Sequence, residues 1–152
     1  MNTNNIEIER KFLVLNDSYK ALATTKHTIE QGYLCKDPDK TVRVRICDDK
    51  AYLTIKSAKN QVGFSRFEWE REISLSDAKE LMSLALPGKI EKTRWIIPAN
   101  HPRVWEIDEF HGRLEGRTLA EIELGSEDES FSKPSFIGQE VTGNPAYYNA
   151  NM

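Results

Sequence analysis

Charged and apolar side chains alternate along short runs of this chain, and this period-two pattern constrains the fold more than any other feature of the sequence. In the run 42–46, Arg43 and Arg45 fall on one face of an extended strand, and the aliphatic residues fall on the other. Runs of this kind lie near residues 6–14, 30–35, 41–47, 51–57, 66–74, 90–97, 103–110 and 118–125. The alternation therefore predicts eight strands, each with one charged and one apolar face.

Helical periodicity is sparse beside this strand pattern. Apolar residues at helical spacing predict a helix over 75–86, with Ser76 as its N-cap and Pro87-Gly88 as its end. A short helix is also expected around residues 17–23. These segments are too few to form a helical core, so they are expected to pack outside the sheet.

The remaining segments are mainly turns. A further short helix is expected from Ser126, where Glu129 would complete a capping box. Turn-forming residues separate many of the strands, for example at 60–63, and the tail from Ser132 onward reads mostly as loop.

Closely spaced strands with few helices predict an α+β domain that is mostly β, as a closed antiparallel sheet or a sandwich. A closed barrel of about eight strands leaves room to be filled by side chains or to hold one small ligand. The chain has 152 residues and shows neither a linker nor a repeat, so residues 1–152 are expected to form a single domain.

Charge and composition exclude several classes of function. With 21 basic and 24 acidic residues the formal net charge is −3, which argues against a nucleic-acid-binding protein. The sequence lacks an apolar run of about 18 residues, so no membrane span is expected. The polar start at 1–9 argues against a signal peptide, and Cys35 and Cys47 are expected to be free thiols in the cytoplasm.

The charges on the polar strand faces are grouped by sign. The bases are Lys11, Arg43, Arg45, Lys56, Arg66, Lys92 and Arg94. The acids are Glu7, Glu9, Glu68, Glu70, Glu72, Glu106, Asp108, Glu121 and Glu123. A solvated face of a single strand could alternate in the same way, but a surface usually intersperses the two signs. Grouped charge instead predicts a sheet closed around a polyanion, with bases on phosphate oxygens and carboxylates on Mg²⁺ or Mn²⁺.

If the charges point inward, the apolar faces point outward and must be covered. Phe67, Trp69, Trp95 and Trp105 lie on these outer faces. Helices, the tail or a second subunit would cover them, and a homodimer is therefore one expectation. The histidines at 27, 101 and 111 are scattered and are expected to be surface residues rather than metal ligands.

An ordered set of motifs resembles the CYTH superfamily, also called the triphosphate tunnel metalloenzymes. Residues 7–11 fit the Glu-x-Glu-x-Lys signature of that family. The later motifs follow in the same order, at 42–45, 53–56, 65–70, 91–94, 106–108, 120–123 and 138–145. The resemblance covers nearly the whole chain and implies a tunnel formed by eight antiparallel strands.

The resemblance also implies divalent-metal-dependent chemistry on triphosphates. Family activities include inorganic triphosphatase, thiamine triphosphatase, RNA 5′-triphosphatase and class IV adenylyl cyclase, and small bacterial members look most like inorganic triphosphatases. The leading hypothesis is hydrolysis of inorganic triphosphate to pyrophosphate and phosphate. The alternatives are an adenylyl cyclase that converts ATP to cyclic AMP and pyrophosphate, and a non-catalytic polyphosphate- or nucleotide-binding module.

Site roles follow from the same resemblance. The substrate oxygens are assigned to Lys11, Arg43, Arg45, Lys56, Lys92 and Arg94, with Arg66 at a similar basic position. Mg²⁺ or Mn²⁺ is assigned to Glu7, Glu9, Glu121 and Glu123, with Asp108 close by. Lys11 or Lys92 would act as a base toward the attacking water, and Glu68 and Glu70 would orient the bases or hold a second metal. Glu72 and Glu106 are left outside the site.

Overall fold

Eight antiparallel strands close into a barrel in the computed structural model, which describes residues 6–58 and 65–152. The strands are β1 (Ile6–Val14), β2 (Thr25–Asp37), β3 (Lys40–Cys47), β4 (Lys50–Ser57), β5 (Ser65–Ile73), β6 (Ile90–Pro98), β7 (Val104–Phe110) and β8 (Thr118–Glu123). Their order around the barrel is β5-β4-β3-β2-β6-β7-β8-β1. Pairing of β1 with β5, from Ile6 opposite Phe67 to Ile8 opposite Ser65, completes the circle.

Short elements lie outside the barrel. The α-helices in the described ranges are α1 (Tyr19–Leu22) and α2 (Leu75–Met82), and single 3₁₀ turns occupy Gly112–Leu114, Pro145–Tyr147 and Asn149–Asn151. None of the helices in the described ranges is long and apolar enough to cross a bilayer. The mostly-β fold predicted from the alternation and the eight-stranded barrel implied by the family resemblance are therefore both confirmed. The polar start at 1–5 and the turn at 60–63 lie outside the described residues.

The tail from Ser132 is mostly irregular chain, as predicted, but the sequence missed one strand there and wrongly predicted a helix before it. A ninth strand, β9 (Ile137–Glu140), pairs with β1 on the outside of the barrel, where the sequence predicted loop. The helix expected from Ser126 is replaced by turns and extended chain. Glu129 does accept the N–H of Gly125 at 2.8 Å, but its carboxylate also binds Arg103 at 2.8 Å. These bonds fix a turn after which the chain runs across the outer face of the barrel.

The boundaries of α2 and β2 also differ from the sequence prediction. Ser74, and not Ser76, caps α2, because the Ser74 hydroxyl accepts the N–H of Asp77 at 3.0 Å. The helix ends at Met82, four residues before the predicted end, and continues as turns. Strand β2 begins at Thr25, five residues before the predicted start, because residues 25–31 pair with β6.

The outer apolar faces are covered mainly by the chain itself. Trp105 and Phe12 are fully buried, and Phe131 and Phe136 of the tail pack against that cluster. The α2 helix covers the outer face of β3 and β4 through Ala78. Phe67 stays 43% exposed, so the homodimer remains a prediction for this part of the surface.

Inside the barrel, an apolar cluster closes one part of the interior. Ile90, Phe110 and Leu119 are buried together, and Tyr147 and Met152 from the C-terminal segment pack against them. The C-terminal segment therefore reaches the interior as well as the outer face. The rest of the interior carries the charged side chains that form the candidate site.

Candidate active site

The barrel encloses a cavity of about 670 Å³, a volume typical of small-molecule sites. Its lining includes Glu7, Glu9, Lys11, Arg43, Arg45, Lys56, Arg66, Glu68, Glu70, Lys92, Arg94, Glu121 and Glu123. Strand register explains this convergence, because residues opposite each other on paired strands share a face. Lys11 lies opposite Glu121, and Glu9 lies opposite Glu123. Of the residues predicted for the site, Asp108 lies behind the lining and is 2% exposed.

Glu9, Glu121 and Glu123 form an acidic group on β1 and β8. Burial raises the pKa of Glu9 well above its usual value, and the charges of Glu121 and Glu7 raise it further. Burial, with Glu7 and Glu68, also raises the pKa of Glu123 to about 7. Burial would also raise the pKa of Glu121, but the charge of Lys11 holds the pKa of Glu121 well below the usual range. Carboxylates this close together are stabilised by a proton or a divalent cation, so the group fits an Mg²⁺ or Mn²⁺ site.

Glu7 lies at the border between this acidic group and the bases. Its carboxylate accepts from Lys56 at 2.7 Å and from Arg66 at 3.2 Å. Burial alone would raise the pKa of Glu7, but these two cations hold it at about 2. Lys56 also lies 3.7 Å from Glu68. Glu7 is therefore already neutralised by protein cations, in contrast to Glu9.

The arginines of β3 line the cavity beside Glu70. Glu70 accepts from the Thr54 hydroxyl at 2.6 Å and from Arg45 at 3.3 Å, and it lies 3.8 Å from Arg43. The Nε atoms of Arg43 and Arg45 are nevertheless buried and find no hydrogen-bond partner among the described residues. Burial and the neighbouring Arg43 and Arg94 lower the pKa of Arg45 to about 10. Two neighbouring guanidinium groups that line one cavity fit a bound polyanion.

A second basic group is organised by Asp108. Its oxygens accept from Arg94 at 2.7 and 2.9 Å, and the Nζ of Lys92 lies 2.7 Å away. Burial would raise the pKa of Asp108, but Arg94 and Lys92 hold it at about 2. Burial lowers the pKa of Lys92 to about 8 against the charge of Asp108. Both carboxylate oxygens of Asp108 are occupied by cations, which favours an orienting role over the metal role given to it by the sequence.

A comparison with known proteins agrees with this geometry. The model of the CYTH domain family matches residues 5–148. The chain belongs to the CYTH domain family. The ordered motifs at 7–11, 42–45 and 120–123 are therefore correctly read as a CYTH pattern.

Other CYTH proteins resemble this chain along nearly all of its length. The inorganic triphosphatase of Acetivibrio thermocellus is 46% identical over 147 residues, which cover 96% of this chain and 92% of that protein. The inorganic triphosphatase of Nitrosomonas europaea is 34% identical over 146 residues, with 94% and 93% covered. A solved crystal structure of an inorganic triphosphatase has 31% identity and a TM-score of 0.64, and covers 95% of this chain and 92% of its own.

The CYTH tunnel also contains residues that the sequence prediction missed. Glu106, left outside the site, lines the cavity and lies 3.4 Å from Arg94, whereas Glu72 is exposed and outside the lining. Glu106 shares the strand face of Asp108, which is the signal that could have included it.

The C-terminal segment supplies the other missed contacts. Lys11 donates to the carbonyl of Tyr147 at 2.8 Å, and Lys92 donates to the Asn149 side chain at 2.9 Å. Tyr33 of β2 also lines the cavity. The tail has no periodic pattern, so its position against two lysines could not be read from the sequence.

Proposed function

We propose that this CYTH protein hydrolyses inorganic triphosphate to pyrophosphate and phosphate, with Mg²⁺ or Mn²⁺ as its cofactor. The observation that carries the proposal is the convergence of Arg43, Arg45 and Arg94 on one cavity whose lining also holds the acids Glu9, Glu121 and Glu123. A linear polyanion with bound divalent cations would satisfy both halves of this cavity. The two inorganic triphosphatases that resemble the chain over more than nine-tenths of its length support the same substrate.

The basic half of the cavity would bind the phosphate chain. Arg43, Arg45 and Arg94 present planar guanidinium groups that can hold two phosphate oxygens at once. Lys56 adds a charge on the next strand, where Glu7 fixes its position. Glu70 and Asp108 would orient these cations, because each carboxylate is already bound to them. The substrate would therefore meet a prepositioned basic surface that needs little rearrangement.

The acidic half would hold the metal. Glu9, Glu121 and Glu123 supply the hard oxygen ligands that Mg²⁺ and Mn²⁺ prefer, with Glu7 beside them. When bound, the metal would neutralise charge on the phosphate oxygens and polarise the terminal phosphoryl group. In the protein without metal, Glu9 and Glu121 share a hydrogen bond, so a proton must leave this group when the cation binds.

Lys92 is suited to accept a proton from the attacking water. Its Nζ is held by Asp108 and Asn149, and its pKa of about 8 leaves part of it neutral near physiological pH. Lys11 is the second lysine of this part of the tunnel, fixed by the carbonyl of Tyr147. Asp108 and Asn149 are thus positioning residues for the base.

The proposal is tested by measuring phosphate and cyclic AMP from inorganic triphosphate and from ATP, side by side, with Mg²⁺ and with Mn²⁺. We expect phosphate from triphosphate, little product from ATP, loss of activity in EDTA and its return with added metal. Cyclic AMP with pyrophosphate from ATP would identify the cyclase instead. Tight binding of triphosphate without turnover would identify the non-catalytic binding module.

A matched pair of variants tests the assignment of the acidic group. Glu123→Gln is expected to lower activity by roughly 100-fold or more, because losing a ligand should cost at least as much as losing an outer partner of a metal site. Glu72→Gln is the control, since Glu72 is an exposed acid outside the cavity lining. Wild-type turnover in folded Glu123→Gln would contradict the metal assignment.

A further inference from the structure

A histidine, a cysteine and an aspartate meet where β2 begins and β3 ends. The ligating atoms of His27, Cys47 and Asp48 all lie within 4.8 Å of one another. His27 and Cys47 are half-buried and Asp48 is exposed, so the group is open to solvent on one side. These three residue types together supply nitrogen, sulfur and oxygen, which is a donor set used for borderline metals.

The hairpin between β2 and β3 builds this group from the sequence. Cys47 lies opposite Ile29 in the antiparallel register, and His27, two residues before Ile29, lies on the same face of β2. Asp48 leaves the strand with φ of 56°, and its N–H donates to the carbonyl of Thr28 at 2.9 Å. His27 and Cys47 therefore stand on paired strands, and Asp48 stands in the turn that follows β3.

The carboxylate of Asp48 is held in a fixed orientation. Its Oδ1 accepts the N–H of Thr28 at 2.9 Å, and its Oδ2 lies 2.6 Å from Nδ1 of His27. An oriented carboxylate of this kind is typical of metal ligands, whose second oxygen is commonly hydrogen-bonded. The hydrogen bonds from His27 and from Thr28 lower the pKa of Asp48.

The group lies apart from the acidic group of the tunnel. His27 is opposite Arg94 in the register, and Cys47 follows Arg45 by two residues, so the group stands beside the arginines. The described residues that line the cavity do not include His27, Cys47 or Asp48. A cation bound here would therefore not occupy the position proposed for Mg²⁺.

We propose that His27, Cys47 and Asp48 bind one borderline divalent cation of the Zn²⁺ or Co²⁺ type. Bonds of roughly 2.0 to 2.3 Å place the ligand atoms of a tetrahedral site about 3.3 to 3.8 Å apart, within reach of small rotations of these side chains. Three protein ligands leave the fourth position for water. Mg²⁺ is not expected here, because it prefers oxygen ligands alone.

Binding involves release of the thiol proton. Burial and the adjacent Asp48 raise the pKa of Cys47, although Arg45 and Arg94 act in the opposite direction. In the metal-free protein Cys47 is therefore a thiol. As the cation binds, the S–H bond is broken, a bond between sulfur and metal forms, and the thiol proton passes to solvent. The imidazole N–H bond toward Asp48 is broken as well, and the ring takes a proton on its other nitrogen, so that one proton is released in all.

The test is a titration of the reduced, EDTA-treated 152-residue protein with Co²⁺ in the presence of excess Mg²⁺. Co²⁺ bound to a thiolate gives a charge-transfer absorption in the near ultraviolet that carboxylate sites do not give. We expect this absorption to saturate at one equivalent, to be absent from Cys47→Ala and to persist in Cys35→Ala. Cys35 is the matched control, because it is also a free, half-buried cysteine.

His27→Gln supplies an independent reading if Cys47→Ala does not fold. Because His27 is 39% exposed, this substitution is expected to preserve the fold and to abolish saturation at one equivalent. Absence of the absorption from the wild-type protein would overturn the proposal. So would its persistence in folded Cys47→Ala or in His27→Gln, or its loss in Cys35→Ala. Triphosphatase activity is not used as a readout, so the outcome does not depend on the proposed function.

Discussion

Two buried acids of the tunnel occupy opposite electrostatic environments. Asp108 accepts from Arg94 and lies 2.7 Å from the Nζ of Lys92, and its pKa is about 2. Glu9 lies among other acids, and burial with Glu121 and Glu7 raises its pKa. A buried carboxylate therefore stabilises the metal-free fold at Asp108 and destabilises it at Glu9. A site that binds a cation is expected to contain acids in the environment of Glu9, where other acids lie nearby and the pKa is raised.

Glu9→Gln should leave the metal-free protein as stable as the wild type or make it more stable, while abolishing triphosphatase activity. Glutamine has nearly the same shape, removes a buried charge and can still donate to Glu121. Because the pKa of Glu9 is raised in the folded state, wild-type stability falls as pH rises through that pKa. The gain of the variant in the free energy of unfolding should therefore be larger at about pH 8 than at about pH 5. Urea unfolding in EDTA measures it, and a large loss of stability would contradict this prediction.

Asp108→Asn should have the reverse effect on stability. It removes the carboxylate that neutralises Lys92 and Arg94, and breaking a buried ion pair costs about 3 kcal/mol or more. Glu109→Gln is the neighbouring control: Glu109 pairs with the partly exposed Lys20 at 3.0 Å, and its loss should cost less than about 1 kcal/mol. Unfolding curves in urea compare the two. Equal stabilities would mean that Asp108 does not hold the two cations in place.

At the level of elements, period-two alternation predicted the barrel strands because it reports directly which side chains face a packed surface. The tail carries no such pattern. Strand β1 pairs with β5 only at residues 6–8, which leaves backbone groups free at residues 12–14. Strand β9 forms because Ile137 and Glu140 pair with that free part of β1. Its position is secured by the bidentate pair between Arg10 and Glu140, which are 130 residues apart. Contacts at that separation leave no local signal in the sequence.

The same limit applies to the candidate site. Alternation and motif order brought the lining residues of six strands to one interior, and the structure places them there. They could not distinguish Asp108, saturated by two cations, from Glu106, which lines the cavity, because both stand on the same face of β7. Neither could they reveal Asn149, whose contact with Lys92 depends on the path of the tail. Burial depth and non-local contacts decide these roles.

At the scale of the whole molecule, the barrel holds two opposite charge groups in one cavity while its net charge is only −3. The acids repel one another without a cation, and the arginines repel one another without an anion. Neither the cation alone nor the triphosphate alone neutralises both the acids and the bases. Metal and triphosphate should therefore bind with positive coupling, since each neutralises the charge that the other brings into the cavity.

This coupling predicts a characteristic pattern of thermal stabilisation. With Mg²⁺ and a methylene-bridged, non-hydrolysable triphosphate together at about 100 times the dissociation constant, the folded state should gain about 2.7 kcal/mol. For a chain of this size that corresponds to a rise in Tm of roughly 5 to 10 °C. Mg²⁺ alone and the analogue alone should each give less, with a sum below the joint effect, and orthophosphate at matched ionic strength serves as the control. Strictly additive shifts would show that metal and phosphate chain occupy independent places, contrary to a single cavity in which acids and bases face one another.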